Sequence, residues 1–307
     1  MDVATRIVFC ASSEIAFPCL DYLQSNPAVH LCGILTQPSR AKGRGQVVSL
    51  NVVGQWAQQR GIPFYPADRM DEATLQWVSD LSPDAVLVMA FGHILPQRFL
   101  SIPPLGTWNL HVSLLPKYRG ASPIQTALLN GDRETGVTFM RLVPKLDAGP
   151  YLLQETVSIE PQDTSITLGE KLAHKSAEIL AKALPLLTPS VNCTPQVDSQ
   201  ATFCKKISKA DGALDFNQPA VVLERQIRAF QPWPGLYFFK DGIRYKVLQA
   251  HLADVTTHCP PGTFIVNAQR TTLTLATADG YLAIDQIQKA CERPMSIVDF
   301  LRGHPQF

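Results

Sequence analysis

Two polar side chains stand two residues apart in residues 108–116, a segment that is otherwise mostly apolar. If this segment begins as a β-strand, Asn109 and His111 point to the same face of the sheet, because side chains alternate along a strand. An amide N–H can stabilise an oxyanion, and an imidazole can accept a proton from an attacking amine near neutral pH. The pair therefore suits acyl transfer to an amine, with no serine or cysteine nucleophile.

A carboxylate able to orient the imidazole follows the next predicted strand, residues 137–143. Asp147 lies in a loop at the carboxyl end of that strand, in the sequence KLDAGP. Taken singly, a buried histidine is often satisfied by a neighbour, and an aspartate often occupies a solvated turn. Two polar groups on one face of an apolar strand favour the catalytic interpretation, with Asn109, His111 and Asp147 as the candidate set.

The elements that must position this set alternate between short strands and segments of helical periodicity. Residues 7–10, 29–35 and 85–90 are predicted strands, and the last is continuously apolar, as in a parallel sheet covered on both faces. The alternation predicts an α/β fold with a doubly wound, largely parallel sheet, whose ligands bind beyond the carboxyl ends of the strands. The turn at residues 11–14 contains no glycine, so a glycine-rich dinucleotide site is not expected.

The composition of the chain changes after residue 187. Prolines at residues 185, 189 and 195, with several serine, threonine and asparagine residues, predict an irregular linker over residues 188–205. Beyond the linker, about five short segments of alternating polarity and two Asp-Gly turns predict a small antiparallel barrel, of which an OB-like barrel is one candidate. We therefore expect one domain over residues 1–187 and a second over residues 206–307.

The formal net charge of +1 hides an uneven distribution along the 307 residues. From Cys204 onward there are 12 Lys and Arg against 9 Asp and Glu, whereas the preceding residues hold 15 against 17. No signal-peptide pattern is present, and the apolar run at residues 85–91 is shorter than the roughly 18–20 residues of a membrane-spanning helix. Seven scattered cysteines show neither a disulfide framework nor zinc-ligand spacing. We expect a cytoplasmic protein with reduced thiols, no membrane segment and no metal.

Three motifs around the candidate set resemble the formyltransferases that use 10-formyltetrahydrofolate. They are NLHVSLLPKYRGASPI from Asn109, GDRETGVT from Gly131, and LDAG from Leu146. Further stretches, at residues 36–45, 206–209 and 223–235, resemble the members of this family that act on methionyl-tRNA. The resemblance extends over nearly the whole chain.

The resemblance implies a Rossmann-like catalytic domain, an OB-like second domain, and transfer of a formyl group to methionyl initiator tRNA for translation initiation. It assigns catalysis to Asn109, His111 and Asp147, with 10-formyltetrahydrofolate as the formyl donor and no metal. A monomer is expected.

The segment Ser113, Leu114, Leu115 and Pro116 would line the folate site. The predicted tRNA contacts are Arg40, Lys42 and Arg44 in a loop of the first domain and the cluster Lys205, Lys206 and Lys209 beside the linker.

The sequence departs from the usual family pattern at three places, none of which removes a catalytic residue. Residues 11–13 read Ala-Ser-Ser in place of Gly-Thr-Pro, Val112 replaces a common glycine, and Gly149 is followed by proline rather than aspartate. Three other functions stay open: formyl transfer to another amine, such as a nucleotide sugar or a purine precursor, RNA binding without catalysis, and hydrolysis of the folate donor.

Overall fold

The computed structural model describes residues 4–42, 47–256 and 258–307. The chain forms two compact units, the first comprising Met1–Pro123, Glu134–Ser158 and Gly169–Lys205, and the second comprising Ile124–Arg133, Ile159–Leu168 and Lys206–Phe307. Because the second unit includes two segments that the sequence assigns to the first domain, the contiguous domain boundaries stay a prediction. In the described part of the chain, no helix is both long and apolar enough to cross a membrane.

The strands and helices alternate along the first two thirds of the chain, as the periodicity predicts. In chain order they are β1 (Thr5–Ala11), α1 (Phe17–Ser25), β2 (Val29–Thr36), β3 (Arg40–Lys42), β4 (Val47–Ser49), α2 (Val52–Gln59), β5 (Phe64–Pro66), α3 (Glu72–Asp80), β6 (Ala85–Met89), α4 (Gln97–Leu100), β7 (Thr107–His111), β8 (Arg119–Gly120), α5 (Pro123–Asn130), β9 (Glu134–Arg141), β10 (Tyr151–Ser158), α6 (Ser165–Ala183) and β11 (Phe203–Cys204).

Seven of these strands form the central sheet in the order β10-β9-β7-β6-β1-β2-β5. The five strands from β7 to β5 are parallel, whereas β9 runs antiparallel to β7 and β10 antiparallel to β9. The prediction of an α/β fold built on a largely parallel sheet is confirmed. The edge strand β10 is missing from the predicted strands because its residues are half-buried or exposed and form no continuous apolar run.

The core of the first unit lies on both faces of the central strands. All five residues of β6 are buried, as are residues Ile7 to Ala11 of β1. Trp108 of β7 is fully buried and stacks on Phe139 of β9, with ring centroids 5.1 Å apart. Burial of both faces is what the continuous apolar runs of a parallel sheet predict. It leaves the strand ends as the place where polar side chains can meet.

The predicted linker is more ordered than its composition suggests. Residues 188–205 contain a 3-10 helix at Asp198–Gln200 and strand β11, which pairs in parallel with β8. Thr194 exchanges two backbone hydrogen bonds with Tyr151, at 2.9 and 2.8 Å. The expectation that this stretch holds no regular element is wrong, because its backbone groups find hydrogen-bond partners on β8 and β10 that lie far away in sequence.

The second unit is built around an antiparallel half-barrel, which confirms the predicted class of the second domain. Its elements are α7 (Ala220–Ala229), β12 (Leu236–Lys240), β13 (Ile243–Ala253), β14 (Phe264–Val266), β15 (Leu273–Ala276), β16 (Tyr281–Lys289), β17 (Met295–Ser296) and α8 (Ile297–Gly303). The sheet order is β12-β13-β16-β15-β14, with β17 paired to β16. Its core includes Leu273, Leu282, Ile284 and Phe300, all at most 2% exposed.

Candidate active site

Strand β7 carries two of the predicted site residues to the carboxyl edge of the parallel strands. Asn109 pairs with Val88 of β6 and Met140 of β9, and His111 is the last residue of β7. The alternation of the strand places both side chains on one face. His111 is 5% exposed and Asn109 is half-buried. Within the described residues, the Asn109 carboxamide has no hydrogen-bond partner, so its N–H groups are available to a ligand.

The hydrogen bonding of His111 determines which ring nitrogen is available as a base. Nε2 lies 3.0 Å from the carbonyl oxygen of Tyr118. A carbonyl oxygen can only accept, so Nε2 carries the hydrogen, and in the neutral ring the lone pair is on Nδ1. Nδ1 lies 3.8 Å from Oδ2 of Asp147. A proton accepted on Nδ1 is therefore stabilised by a neighbouring carboxylate.

Asp147 is held in place by its own loop and by strand β8. Its carboxylate oxygen Oδ2 accepts a hydrogen bond from the backbone N–H of Gly120 at 2.8 Å, and its side chain is 12% exposed. The backbone of Asp147 has φ of +44°, in the left-handed region that few residues other than glycine, asparagine and aspartate adopt. The structure thus brings His111 and Asp147 together, although 36 residues separate them in sequence. Their catalytic roles stay a prediction until tested.

The loop predicted to line the folate site follows β7 directly and is fixed by neighbouring strands. The Thr138 hydroxyl donates to the Ser113 carbonyl oxygen at 2.6 Å and accepts from the Leu115 N–H at 3.1 Å. Gln154 of β10 donates to the Leu115 carbonyl oxygen at 2.9 Å. The fully buried Ser113 donates its hydroxyl to the Lys117 carbonyl oxygen at 2.5 Å, so this side chain organises the loop itself.

The other members of this loop differ in how much surface they offer. Leu115 is buried, whereas Leu114 and Pro116 are half-buried and can contact a ligand. Val112, which stands where relatives often carry glycine, is outside the left-handed region, so its backbone does not require a glycine.

The unusual turn after β1 joins three strand ends. The Ser12 hydroxyl donates to the Phe91 carbonyl oxygen at 3.1 Å and accepts from the Gln37 N–H at 3.1 Å. The Gln37 side chain also donates to the Phe91 carbonyl oxygen, at 3.0 Å. Reasoning from the sequence missed this link between β1, β2 and β6. Its only signal is that a polar residue, Ser12 or Gln37, directly follows each of the strands β1 and β2.

The buried thiol of Cys204 lies near the backbone of residues 118–122. The Cys204 Sγ lies 3.5 Å from the carbonyl oxygen of Tyr118 and accepts from the Ser122 N–H at 3.3 Å. Burial raises the pKa of the Cys204 thiol, which therefore stays protonated at neutral pH. Among the described side chains, no group of three or more His, Cys, Asp or Glu is arranged to hold a metal ion.

The predicted tRNA contacts are only partly described. Arg40 and Lys42 belong to the short strand β3, whose side chains are outside the described part, and Arg44 lies outside the described residues. Lys205, in the first unit, and Lys206 and Lys209, in the second, are all exposed, as contact with a phosphate backbone requires.

Comparison with known proteins places this geometry in a family. The family model described as Formyl transferase matches residues 5–184, and the one described as Formyl transferase, C-terminal domain, matches residues 206–305. The methionyl-tRNA formyltransferase of Roseiflexus castenholzii is 39% identical over 304 residues, which cover 98% of this chain and 96% of the relative. The chain belongs to the methionyl-tRNA formyltransferase family. The enzyme of the same name from Methylococcus capsulatus is 40% identical over 97% of each chain.

Solved structures outside the methionyl-tRNA formyltransferases share the fold. HypX from Aquifex aeolicus in complex with tetrahydrofolic acid has a TM-score of 0.65 at 15% identity, covering 98% of this chain and 47% of HypX. The sugar 3N-formyl transferase WlaRD, with dTDP and 5-N-formyl-THF, has a TM-score of 0.66 at 17% identity, covering 94% of this chain and 99% of WlaRD. Both likenesses concern the fold alone.

Proposed function

We propose that the protein transfers the formyl group of 10-formyltetrahydrofolate to the α-amino group of methionyl initiator tRNA. The observation that carries the proposal is the placement of His111 beside Asp147 at the end of β7, in a chain of this family. Asn109, on the same strand and unpartnered among the described residues, completes a site for acyl transfer to an amine. The protein would act in the cytoplasm. It would act as a monomer, and size-exclusion chromatography with light scattering can test that oligomeric state.

The proposed reaction passes through a tetrahedral intermediate. The amine nitrogen of methionyl-tRNA bonds to the formyl carbon, and the carbonyl oxygen becomes an oxyanion that accepts a hydrogen bond from the Asn109 amide. His111 accepts the amine proton on Nδ1 and becomes an imidazolium facing Asp147. The bond from the formyl carbon to the folate nitrogen then breaks, and that nitrogen receives the proton. The products are formylmethionyl-tRNA and tetrahydrofolate.

The donor is proposed to lie against the loop after β7. Leu114 and Pro116 supply apolar contacts, and the buried hydrogen bonds of Ser113 and Leu115 keep the loop in shape. This arrangement supports a folate site in which the loop is formed before the ligand arrives. Few groups then need to be ordered on binding.

Two groups of Arg and Lys side chains are proposed to contact the phosphates of the acceptor tRNA. The first is Arg40, Lys42 and Arg44, and the second is Lys205, Lys206 and Lys209. Replacing the three lysines together by alanine should weaken tRNA binding and make its dependence on salt less steep, by about one unit of logarithmic slope for each phosphate that is no longer neutralised. An unchanged salt slope would show that these lysines do not contact phosphate.

The proposed function is tested by combining the protein, 10-formyltetrahydrofolate and methionyl initiator tRNA, and identifying formylmethionine after ester hydrolysis. Uncharged tRNA serves as the control for acceptor chemistry, and a dTDP-linked amino sugar tests the related acceptor class. Formyl transfer to the sugar but not to methionyl-tRNA would contradict the proposal. Release of free formate alone would indicate a hydrolase.

The roles of two residues are tested in the same assay. His111→Ala and Asn109→Ala should each lower the formylation rate by roughly 10²–10³, because each removes a group that acts in the transition state. Either variant that stays folded, binds the donor and keeps more than a tenth of the rate contradicts the role given to that residue.

A further inference from the structure

The loop that carries Asp147 is bound by a side chain from the stretch that the sequence marks as a linker. Gln196 donates hydrogen bonds from its Nε2 to the carbonyl oxygen of Asp147 at 2.8 Å and to that of Gly149 at 2.7 Å. One NH₂ group therefore binds the carbonyl oxygens on either side of Ala148. The first of these carbonyls belongs to Asp147, whose backbone lies in the left-handed region.

The orientation of the Gln196 amide is fixed from its other side. Its Oε1 accepts from both Nε and Nη2 of Arg119, at 3.0 and 2.8 Å. A guanidinium only donates, so the oxygen must face Arg119 and the NH₂ group must face the two carbonyls. Arg119 is 1% exposed and Gln196 is half-buried, so the group that orients the amide is itself fixed in the core.

A carboxylate from the same segment balances the buried charge. Asp198 accepts from Nη2 of Arg119 at 2.8 Å and from Nζ of Lys145 at 2.6 Å. The hydrogen bonds from Lys145 and Arg119 hold the pKa of Asp198 below its usual range, so it is ionised at neutral pH. Lys145 lies two residues before Asp147. Residues 196–198 therefore hold the Asp147 loop at two points.

The same buried arginine lies between the two residues whose backbone groups contact the candidate catalytic side chains. Arg119 lies between Tyr118, whose carbonyl oxygen accepts from His111, and Gly120, whose N–H donates to Asp147. A Cβ at Gly120 would overlap the carbonyl oxygen of Cys204, so β8 and β11 pack too closely there for any other residue. The position of the Asp147 carboxylate relative to His111 thus depends on contacts with residues 196–204.

We propose that Gln196 is a positioning residue for formyl transfer, which holds the Asp147 backbone so that the carboxylate faces His111. This inference rests on the proposed function. Gln196 touches no reacting atom and acts through Asp147. Its loss should lower the rate of the chemical step while leaving the donor site, built on the loop after β7, unchanged.

The substitution Gln196→Glu separates the two halves of the amide. A carboxylate can still accept from Arg119, but it cannot donate to the carbonyl oxygens of Asp147 and Gly149 and repels them. Gln200→Glu is the matched control, because it makes the same chemical change in the same segment at an exposed side chain that has no hydrogen bond within the described residues. We expect Gln196→Glu to lower kcat about 10- to 100-fold relative to Gln200→Glu, with the KM for 10-formyltetrahydrofolate within about twofold.

A double-mutant cycle with Asp147→Ala distinguishes positioning from a general effect on the fold. If Gln196 acts through the Asp147 carboxylate, Gln196→Glu should lower the single-turnover rate less than about threefold once that carboxylate is gone. The inference would be overturned if the two substitutions lowered the single-turnover rate by factors that multiply in the double variant. A kcat for Gln196→Glu within about threefold of that of Gln200→Glu would overturn it as well. If Gln196→Glu does not fold, Gln196→Met, which removes both halves of the amide, is measured in the same double-mutant cycle and judged by the same criteria.

The wild type and Gln200→Glu also separate this inference from the proposed function. If both formylate methionyl-tRNA and Gln196→Glu does so equally well, the positioning role alone is wrong. If the wild type formylates no acceptor, the proposed function is wrong and the positioning role falls with it.

Discussion

Replacing Asp147 by asparagine tests the electrostatic role of its carboxylate with little change in shape. The amide oxygen of the new side chain can still accept from the Gly120 N–H, which lies 2.8 Å from Oδ2 in the wild type. The negative charge 3.8 Å from Nδ1 of His111 is removed. We therefore expect the loop to keep its conformation while the imidazolium that forms during the reaction has no counter-ion.

The size of the effect follows from the separation of the two charges. The side chains of His111 and Asp147 are only 6% and 12% exposed, so water screens them less than it screens a surface pair. With an effective dielectric constant of about 20, two unit charges 3.8 Å apart attract by about 4 kcal/mol. If half of the imidazolium charge has formed in the transition state, about 2 kcal/mol of stabilisation disappears. Asp147→Asn should lower kcat by between about 30-fold and about 10³-fold.

The assay is the initial rate of formylmethionyl-tRNA formation over a range of donor concentrations. Asp68→Asn is the control, because Asp68 is exposed and, in the described part of the chain, makes no ion pair or hydrogen bond through its side chain. The KM for the donor should match that of the control. A kcat for Asp147→Asn within about threefold of Asp68→Asn would refute the reasoning, since a charge this close to an essential imidazolium cannot be removed without cost.

Three further predictions concern stability and thiol reactivity. Gly120→Ala should lower the free energy of unfolding by about 2 kcal/mol or more, measured in urea, because φ is +126° and a Cβ would overlap the backbone of β11. In the native protein, a thiol reagent should modify the exposed Cys291 and leave Cys10 unmodified until unfolding, since burial raises the pKa of Cys10; equal rates would contradict this. The hydrogen bond from Lys182 lowers the pKa of Glu155, so the ionised carboxylate stabilises the folded protein at neutral pH. This stabilisation is lost as the pH falls through the lowered pKa of Glu155. Glu155→Gln should lower the Tm at about pH 7 more than at about pH 3.

Local sequence patterns predicted the strands that bear the site. Continuous apolar runs marked the buried parallel strands, and β6 ends within one residue of its expected position. Alternation along β7 placed Asn109 and His111 on one face, because a strand has a period of two residues whatever surrounds it. The edge strand β10 was not predicted, because it is half-buried and its burial pattern depends on what packs beside it rather than on local sequence alone.

The sequence by itself determined the reactive groups, the strand that carries two of them and the α/β class, because these depend on residue type and local periodicity. Only the tertiary structure decided that Nε2 of His111 is occupied by a carbonyl oxygen, which leaves Nδ1 to face Asp147. It also decided that Gln196 donates directly to the Asp147 loop, 49 residues away, with its amide oriented by Arg119, 77 residues away. Contacts over such a separation are set by how the chain packs, and composition alone described that stretch as a linker.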